Sequence, residues 1–195
     1  MVKRSLNNND TQVSNKKSKK IKRDINSYLS NISKGVILSF GSGDMAQLGC
    51  GERMVMRERK KPTPIRTLID QGIDICYISA GSLHNCALST NGDLYSWGCN
   101  DDYALGIPNI VTLWDPMKVT GFNKGDDKIV NVQCGASHTI CLTENGNVYT
   151  WGCYRDILGI MGYSPNEKKQ AIPQKVDFNN EKVIDIAAGS NFDLI

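Results

Sequence analysis

The sequence repeats itself with a long and constant period. The stretch AGSLHNCALSTNG at residues 80–92 returns at residues 134–146 as CGASHTICLTENG, and it begins again at residue 188 as AGSN. The three glycines of these copies, Gly81, Gly135 and Gly189, are 54 residues apart both times. A fixed period of this length is typical of a repeat architecture, so the fold must be built from one structural unit used several times.

Each period predicts four antiparallel β-strands. Asn91-Gly92 and Asn145-Gly146 lie between apolar runs, which predicts two hairpins with type I′ turns, because Asn and Gly both tolerate positive φ. Two strands flank each turn, another precedes them, and a fourth, edge-like strand begins at Pro116 or Pro173, where Pro is tolerated. Four such strands form one blade of a propeller. The preceding and fourth strands are predicted at residues 75–78, 129–132, 116–119 and 173–176.

The repeat region is short for a closed propeller. It runs from Gly35 to Ile195, whereas even four blades of this period need about 216 residues, and propellers have four to eight blades. The third copy also stops before the Asn-Gly turn that the period predicts. We therefore expect residues 35–195 to form a partial propeller of about three blades, and we expect the chain to be the N-terminal portion of a longer protein.

Residues 1–34 differ in composition from the repeats. They contain nine Lys and Arg residues and two Asp residues, a net charge of +7, and since the whole chain has a net charge of +3, the repeat region carries −4. This segment is rich in Asn, Ser and Lys and has little apolar surface to bury, so we expect a disordered basic tail. No apolar run is long enough to span a bilayer and no signal peptide is visible, so no membrane association is expected.

The cysteines and histidines follow the repeat rather than a metal-binding pattern. The seven cysteines are odd in number and include no C-x-x-C pair, and their repeated positions favour small buried hydrophobic roles over disulfides, in a reducing compartment. His84 and His138 each follow a repeat glycine by three residues, and Phe192 replaces them in the third copy. We therefore interpret both histidines as packed residues and expect no metal site and no cofactor.

A glycine-rich loop at residues 41–49 is also explained by the repeat. GSGDMAQLG superficially resembles a phosphate-binding loop, but it lacks the Gly-Lys-Ser/Thr ending and no helical pattern follows it. The same loop returns at residues 98–106 and 152–159. We interpret all three as turns between strands, with nucleotide binding as a minor alternative.

These motifs resemble the repeat of the regulator of chromosome condensation family. The pattern G-x-x-H, then N-G, then W-G and finally L-G at about 50-residue intervals is typical of that repeat, and the similarity runs from about Val36 to the end. The stretches that resemble the first three blades of the family are GSGDMAQLGCGE at 41–52, ERKKP at 58–62, YSWGCNDD at 95–102, WGCYRD at 151–156, and KK with PQKV at 168–176. A basic N-terminal tail is also a trait of the family.

The resemblance implies a seven-bladed β-propeller that acts as guanine-nucleotide exchange factor for the small GTPase Ran on chromatin. Such a protein is a regulator with no chemical catalysis of its own, so no catalytic residues are expected. The implied partners are Ran, the nucleosome and its DNA, and a nuclear import receptor, in the nucleus. In this sequence the implied β-wedge falls on residues 154–162, and the candidate GTPase contacts are Asp44, Arg155, Asp156, Ile157, Leu158 and Gly159.

A propeller scaffold that does not exchange nucleotide, and binds chromatin or other proteins instead, is the alternative function. Three departures from the family pattern favour it: Ala136 and Asn191 stand where acidic residues are common, and Leu158-Gly159 replaces Asn-Gly in the wedge. Acidic loops would attract a basic GTPase surface, so their loss should slow association.

The basic tail gives the first testable prediction. The candidate import and DNA-binding residues are Lys3, Arg4, Lys16, Lys17, Lys19, Lys20, Lys22 and Arg23, in a bipartite arrangement typical of nuclear import signals. Replacing Lys16, Lys17, Lys19 and Lys20 with Ala should flatten the salt dependence of DNA affinity, by roughly 0.9 log units per lost phosphate contact. The same variant should move a fluorescent fusion out of the nucleus. A variant that stays nuclear with an unchanged salt slope would contradict both roles.

Overall fold

The computed structural model describes residues 34–51, 58–126, 128–156, 158–160 and 167–195, which form β-strands and one short helix. The predicted tail, with all eight of its basic candidate residues, lies outside the described residues. In chain order the elements are β1 (Leu38–Ser42), β2 (Glu58–Pro64), α1 (Arg66–Asp70), β3 (Ile75–Ala80), β4 (His84–Ser89), β5 (Leu94–Cys99), β6 (Thr112–Lys118), β7 (Ile129–Cys134), β8 (His138–Thr143), β9 (Val148–Gly152), β10 (Arg155–Asp156), β11 (Gly159–Ile160), β12 (Gln170–Val176), β13 (Ala187–Ala188) and β14 (Asp193–Leu194).

Two complete four-stranded antiparallel sheets form the centre of the described structure. Their strand orders are β3-β4-β5-β6 and β7-β8-β9-β12, so each strand pairs with its neighbour in the repeat. Equivalent registers recur: His84 pairs with Gly98 in the first sheet, and His138 pairs with Gly152 in the second. The prediction of four strands per period is confirmed, and each sheet is one propeller blade. The inserted strands β10 and β11 pair only with each other.

Half-blades precede and follow the two complete sheets. The β1–β2 pair corresponds to the last two strands of a blade, and the β13–β14 pair corresponds to the first two strands of another. The predicted all-β fold with about three repeats of a propeller is therefore confirmed. The fourth strands are longer than expected, since β6 begins at Thr112 and β12 at Gln170. Both are the last strands of their sheets, where a Pro deprives only an unpaired edge of its N–H group.

The hairpin turns differ from the predicted type I′. Gly92 has a φ of +85° and Gly146 a φ of +80°, but neither Asn91 nor Asn145 has a positive φ. The Gly92 N–H donates to Ser89 O at 3.0 Å, which describes an ordinary turn followed by a left-handed glycine, the common three-residue hairpin loop. The prediction of type I′ turns was wrong because the Ser89 hydroxyl accepts a hydrogen bond from the Asp93 N–H at 3.0 Å and stabilises the longer loop.

The helix α1 was not predicted from the sequence. It has only five residues, between β2 and β3, so it is too short to show a helical period. Its Leu68 is buried beside Ile65 and Trp97 in one apolar cluster. The segment is helical because this turn brings Ile65 and Leu68 onto the same side of the first complete blade.

The apolar core lies between blades rather than within each sheet. One cluster joins Leu88 and Leu94 of the first complete blade to Val132, Tyr149 and Trp151 of the second. Another joins the second blade to the following half-blade through side chains that include Ile140, Val148 and Ile186. Burying one face of every sheet against its neighbour is what makes the repeats depend on each other.

The repeat glycine is conserved between copies because a ring covers it. A Cβ atom added at Gly81 would lie 2.4 Å from the His84 ring, and one added at Gly135 would lie 2.0 Å from the His138 ring. At Gly189 the ring of Phe192 takes the same place, at 2.4 Å. The interpretation of the histidines as packed residues is confirmed, since both imidazoles are buried.

A tryptophan of each complete blade is hydrogen-bonded to the loop of the preceding blade. The Trp97 Nε1–H donates to Gln47 O and the Trp151 Nε1–H donates to Ala104 O, both at 2.9 Å. A glycine follows each acceptor loop under the indole: a Cβ at Gly106, where φ is +68°, would lie 2.7 Å from Trp151 Nε1. The L-G ending of the repeated loop therefore reflects a close approach between blades.

Replacing Gly106 by Ala should destabilise the propeller by about 3 kcal/mol, since it adds a clash with the indole to the cost of a left-handed backbone. Gly125→Ala is the matched control, because Gly125 has a φ of +89° and open space around its Cβ position. That control should cost only about 1 kcal/mol. Urea unfolding of both purified variants measures the difference, and equal losses would contradict the proposed indole contact.

Candidate functional site

The predicted contact residues lie in loops that share one face of the blades. Neighbouring strands are antiparallel, so the loops that follow β1, β3, β5, β7 and β9 leave the sheets on the same side. Aligning the repeated glycines Gly41, Gly98 and Gly152 places Asp44, Asp101 and Arg155 at the same position of three successive loops. This surface, called the loop face below, therefore carries charged residues in register.

The hairpin β10–β11 is an insertion on the loop face. Arg155 pairs with Ile160 and Asp156 pairs with Gly159 across it. Gly159 has a φ of +124°, which favours glycine at this position. Leu158, at the turn, has 90% of its surface exposed. The sequence-predicted wedge is thus a two-stranded projection with an apolar side chain at its tip.

Arg155 ties this hairpin to the preceding blade. Its Nε donates to Asp102 Oδ2 at 2.9 Å, and its Nη2 donates to the other oxygen, Oδ1, of the same carboxylate. Such a bidentate pair fixes orientation as well as distance. The hairpin is therefore held against the loop between β5 and β6 at its first residue.

Lys169 is a second cation on the same carboxylate. Its Nζ lies 2.9 Å from Asp102 Oδ1 and donates to Asp101 O at 2.8 Å. Because Lys169 directly precedes β12, the chain is tied to the preceding blade both where it enters and where it leaves the insertion. One carboxylate and two cations thus anchor the base of the hairpin.

The electrostatics of this triad favour the ionised forms. Burial alone would raise the pKa of Asp102, but hydrogen bonds from Arg155 and Lys169 outweigh it and lower the pKa below the ordinary value of 3.8. The hydrogen bond to Asp102 raises the pKa of Arg155 above its ordinary value. The Asp102 side chain is only 16% exposed, whereas that of Arg155 is 42% exposed, so the carboxylate is the sheltered partner of the pair.

A cleft of about 420 Å³ lies beside the triad. Its walls come from both complete blades and include hydroxyl, carboxylate and cationic groups, among them Ser82, Asp101, Ser137, Arg155 and Lys169. In the described part of the chain, no group of three or more His, Cys, Asp or Glu side chains could hold a metal ion. The loop face thus offers polar contacts to a macromolecular surface.

The structure brings some predicted residues together and separates others. Arg155 and Leu158 lie in the hairpin, whereas Asp44 is exposed in the loop after β1 of the preceding half-blade. For Asp156 only the backbone pairing is described, and Ile157 lies outside the described residues. Ala136 and Asn191 lie in the corresponding loops after β7 and β13, where the Ala136 N–H donates to Ser190 O at 2.9 Å.

The sequence analysis missed Asp102 and Lys169. The signal for Asp102 was its place in the loop at residues 98–106, directly after the position that Asp44 and Arg155 share in their own loops. Lys169 had no comparable signal, because the insertion that precedes it has no equivalent in the other repeats. No helix in the described residues is long and apolar enough to cross a membrane.

Comparisons with known proteins identify the repeat. A family model described as the regulator of chromosome condensation (RCC1) repeat matches residues 34–88, 91–142 and 145–194. The mouse regulator of chromosome condensation is 38% identical over 175 residues, which cover 90% of this chain and 39% of the mouse protein. The human E3 ubiquitin-protein ligase HERC2 is 36% identical over 110 residues, which are 55% of this chain and 2% of that protein.

A solved structure also matches. It is that of Prp20p from Saccharomyces cerevisiae, described together with the binding properties of Prp20p to Gsp1p and histones. The TM-score is 0.74 and the sequence identity 30%, over 81% of this chain and 38% of the yeast chain. The chain thus spans about two fifths of the length of these relatives.

Asp102→Asn should loosen the β10–β11 hairpin, because the neutral amide cannot pair with Arg155 and Lys169. In the wild type, the anchoring is present above about pH 4 and is lost as the pH falls through the lowered pKa of Asp102. Hydrogen exchange of the amides at 158–160, corrected for intrinsic rates, should show protection that declines at acid pH, and little protection in the variant. Asp93→Asn, which breaks the exposed pair with Lys118, is the control. Equal protection in both variants would contradict the anchor.

Proposed function

Because the chain belongs to the family of regulator of chromosome condensation (RCC1) repeat proteins, we propose that the full-length protein is a guanine-nucleotide exchange factor for a Ran-type small GTPase and acts on chromatin in the nucleus. The observation that carries this proposal is the hairpin β10–β11, which projects from the loop face and is anchored by Asp102.

Exchange requires a surface that prefers the nucleotide-free GTPase. By linkage, a factor that binds this form more tightly weakens nucleotide binding by the same ratio. A hairpin that is already ordered loses less conformational freedom on binding than a loose loop does. The ion pairs of Arg155 and Lys169 with Asp102 supply that order, so the exposed Leu158 is presented to the partner at a fixed place.

The charges of the loop face support association with a basic partner. Asp44 and Asp101 are exposed at equivalent positions of successive loops, and acidic groups at a rim raise the association rate with a basic surface. The yeast relative Prp20p binds Gsp1p and histones. We extend both classes of partner to this protein: a Ran-type GTPase at the loop face, and the nucleosome and an import receptor through the basic tail.

A propeller scaffold without exchange activity is the second candidate function. The similarity to HERC2 is with a ubiquitin ligase, so the repeat also occurs in proteins of another class. Ala136 and Asn191 place no carboxylate in the loops after β7 and β13, which would weaken attraction for a basic GTPase. The two candidates differ in one measurable property, the acceleration of nucleotide release.

Release of a fluorescent GDP analogue from Ran tests the proposal directly. The full-length protein should accelerate release, and Arg155→Ala should slow the accelerated rate by about tenfold, which corresponds to ~1.4 kcal/mol of lost differential binding. Asp44→Ala should reduce the rate mainly at low salt, since a rim charge acts through steering.

The control for this experiment is Lys128→Ala. It removes a cation from the exposed pair with Glu144, and both residues lie in connections on the side opposite to the loop face. This variant should exchange at the wild-type rate. If the wild-type protein does not accelerate release, the scaffold function replaces the proposal; if Arg155→Ala and Lys128→Ala behave alike, the hairpin is not the exchange element.

A further inference from the structure

Two cysteines from neighbouring blades meet where β4 packs beside β7. Cys86 of β4 is buried, and Cys134, the last residue of β7, is partly exposed and packs against the same apolar cluster. The Cys134 thiol also lines an open cavity of about 360 Å³ between the loops after β3, β7 and β13. A small solute can therefore reach Cys134, while Cys86 lies behind it.

His84 is placed to act as a base toward Cys134. Its Nε2 lies 2.9 Å from Thr139 Oγ1, and that hydroxyl donates its own proton to Ala104 O at 2.8 Å. The hydroxyl therefore accepts from His84, so Nε2 carries the imidazole proton and Nδ1 has a free lone pair. The side-chain hydrogen bond between His84 and Cys134 must then use Nδ1, which can take the thiol proton.

The next blade interface shows that the frame does not need these thiols. One period later, His138 Nε2 bonds Asp193 Oδ1 at 3.0 Å in place of the His84–Thr139 contact. There the cysteine positions hold Ile140 and Ala188, and the buried His138 Nδ1 has no hydrogen-bond partner. The cysteine pair is thus an addition to the repeat, and it supplies the partner that the other histidine lacks.

The protonation of the two thiols follows from these contacts. Burial would raise the pKa of Cys134, but hydrogen bonds with Cys86 and the nearby His84 outweigh it and lower the pKa well below 9.0. The hydrogen bond with Cys134, together with burial, raises the pKa of Cys86. The accessible sulfur is therefore the thiolate, and the buried sulfur keeps its proton. A thiolate is the reactive form of cysteine.

We propose that Cys134 is a site of reversible oxidation by hydrogen peroxide, with Cys86 as the resolving thiol that closes a disulfide between two blades. In the first step the Cys134 thiolate attacks a peroxide oxygen, the O–O bond breaks, and the leaving hydroxide takes the proton from the His84 imidazolium to form water. In the second step the Cys86 sulfur attacks the sulfenic acid, the S–O bond breaks, and the hydroxide leaves as water with the Cys86 proton.

Alkylation and peroxide treatment of the purified full-length protein test this proposal. With limiting iodoacetamide at pH 7, tandem mass spectrometry should show Cys134 modified about tenfold faster than Cys76 or more. Cys76 is the internal control, because it is also partly exposed but burial raises its pKa. Peroxide should produce a Cys86–Cys134 linked peptide that dithiothreitol removes, and in Cys86→Ser dimedone should trap the Cys134 sulfenic acid.

Two variants keep the test independent of folding. His84→Phe places the residue that the third repeat carries at Phe192, and Cys134→Ala places the residue found at Ala80 and Ala188, so the repeat accepts both. His84→Phe should reduce alkylation of Cys134 to the rate of Cys76, and Cys134→Ala should abolish the linked peptide. Equal reactivity of Cys134 and Cys76 in the wild type, or no linked peptide after peroxide, would overturn the proposal.

Discussion

The hydrogen bond from a blade tryptophan to a loop carbonyl of the preceding blade organises the described structure. Gln47 O accepts from the Trp97 indole and also from Asn85 Nδ2. Ala104 O accepts from the Trp151 indole and also from Thr139 Oγ1. One carbonyl is thus tied by two donors that both come from the next blade. Since an unmade hydrogen bond at a buried carbonyl is costly, the loop and the blade can only form together.

This constraint also positions the candidate site. The loop that ends at Ala104 carries Asp101 and Asp102 a few residues earlier, and its Asn100 side chain donates to Ile107 O and Ile110 O at 2.8 and 2.7 Å. A loop fixed at both ends gives Asp102 a defined place for its bonds with Arg155 and Lys169. The hairpin β10–β11 therefore inherits its orientation from packing between blades, although it pairs with no blade strand.

The repeat in the sequence predicted the blades because each copy carries the same packing instructions. The strands around Gly92 and Gly146, the buried histidines and the loops after Gly98 and Gly152 were all predicted correctly in outline. The turn type was wrong because a side-chain hydrogen bond decided it, and α1 was missed because five residues show no period. The Arg155–Asp102 pair could not be predicted, since it joins two loops 53 residues apart, and only the folded blades bring them together.

Comparison of repeats within one chain separates the frame from what has been added to it. The frame needs a ring beneath each repeat glycine, and both histidine and Phe192 satisfy this need, so ring size rather than imidazole chemistry is the shared requirement. Where the ring is histidine, a nitrogen is buried and needs partners. At His138 one nitrogen remains unpaired, whereas at His84 a thiol has come to face it. A packing residue thereby becomes a chemical one without any change in the blade, because the new property depends on the neighbour that the next blade supplies.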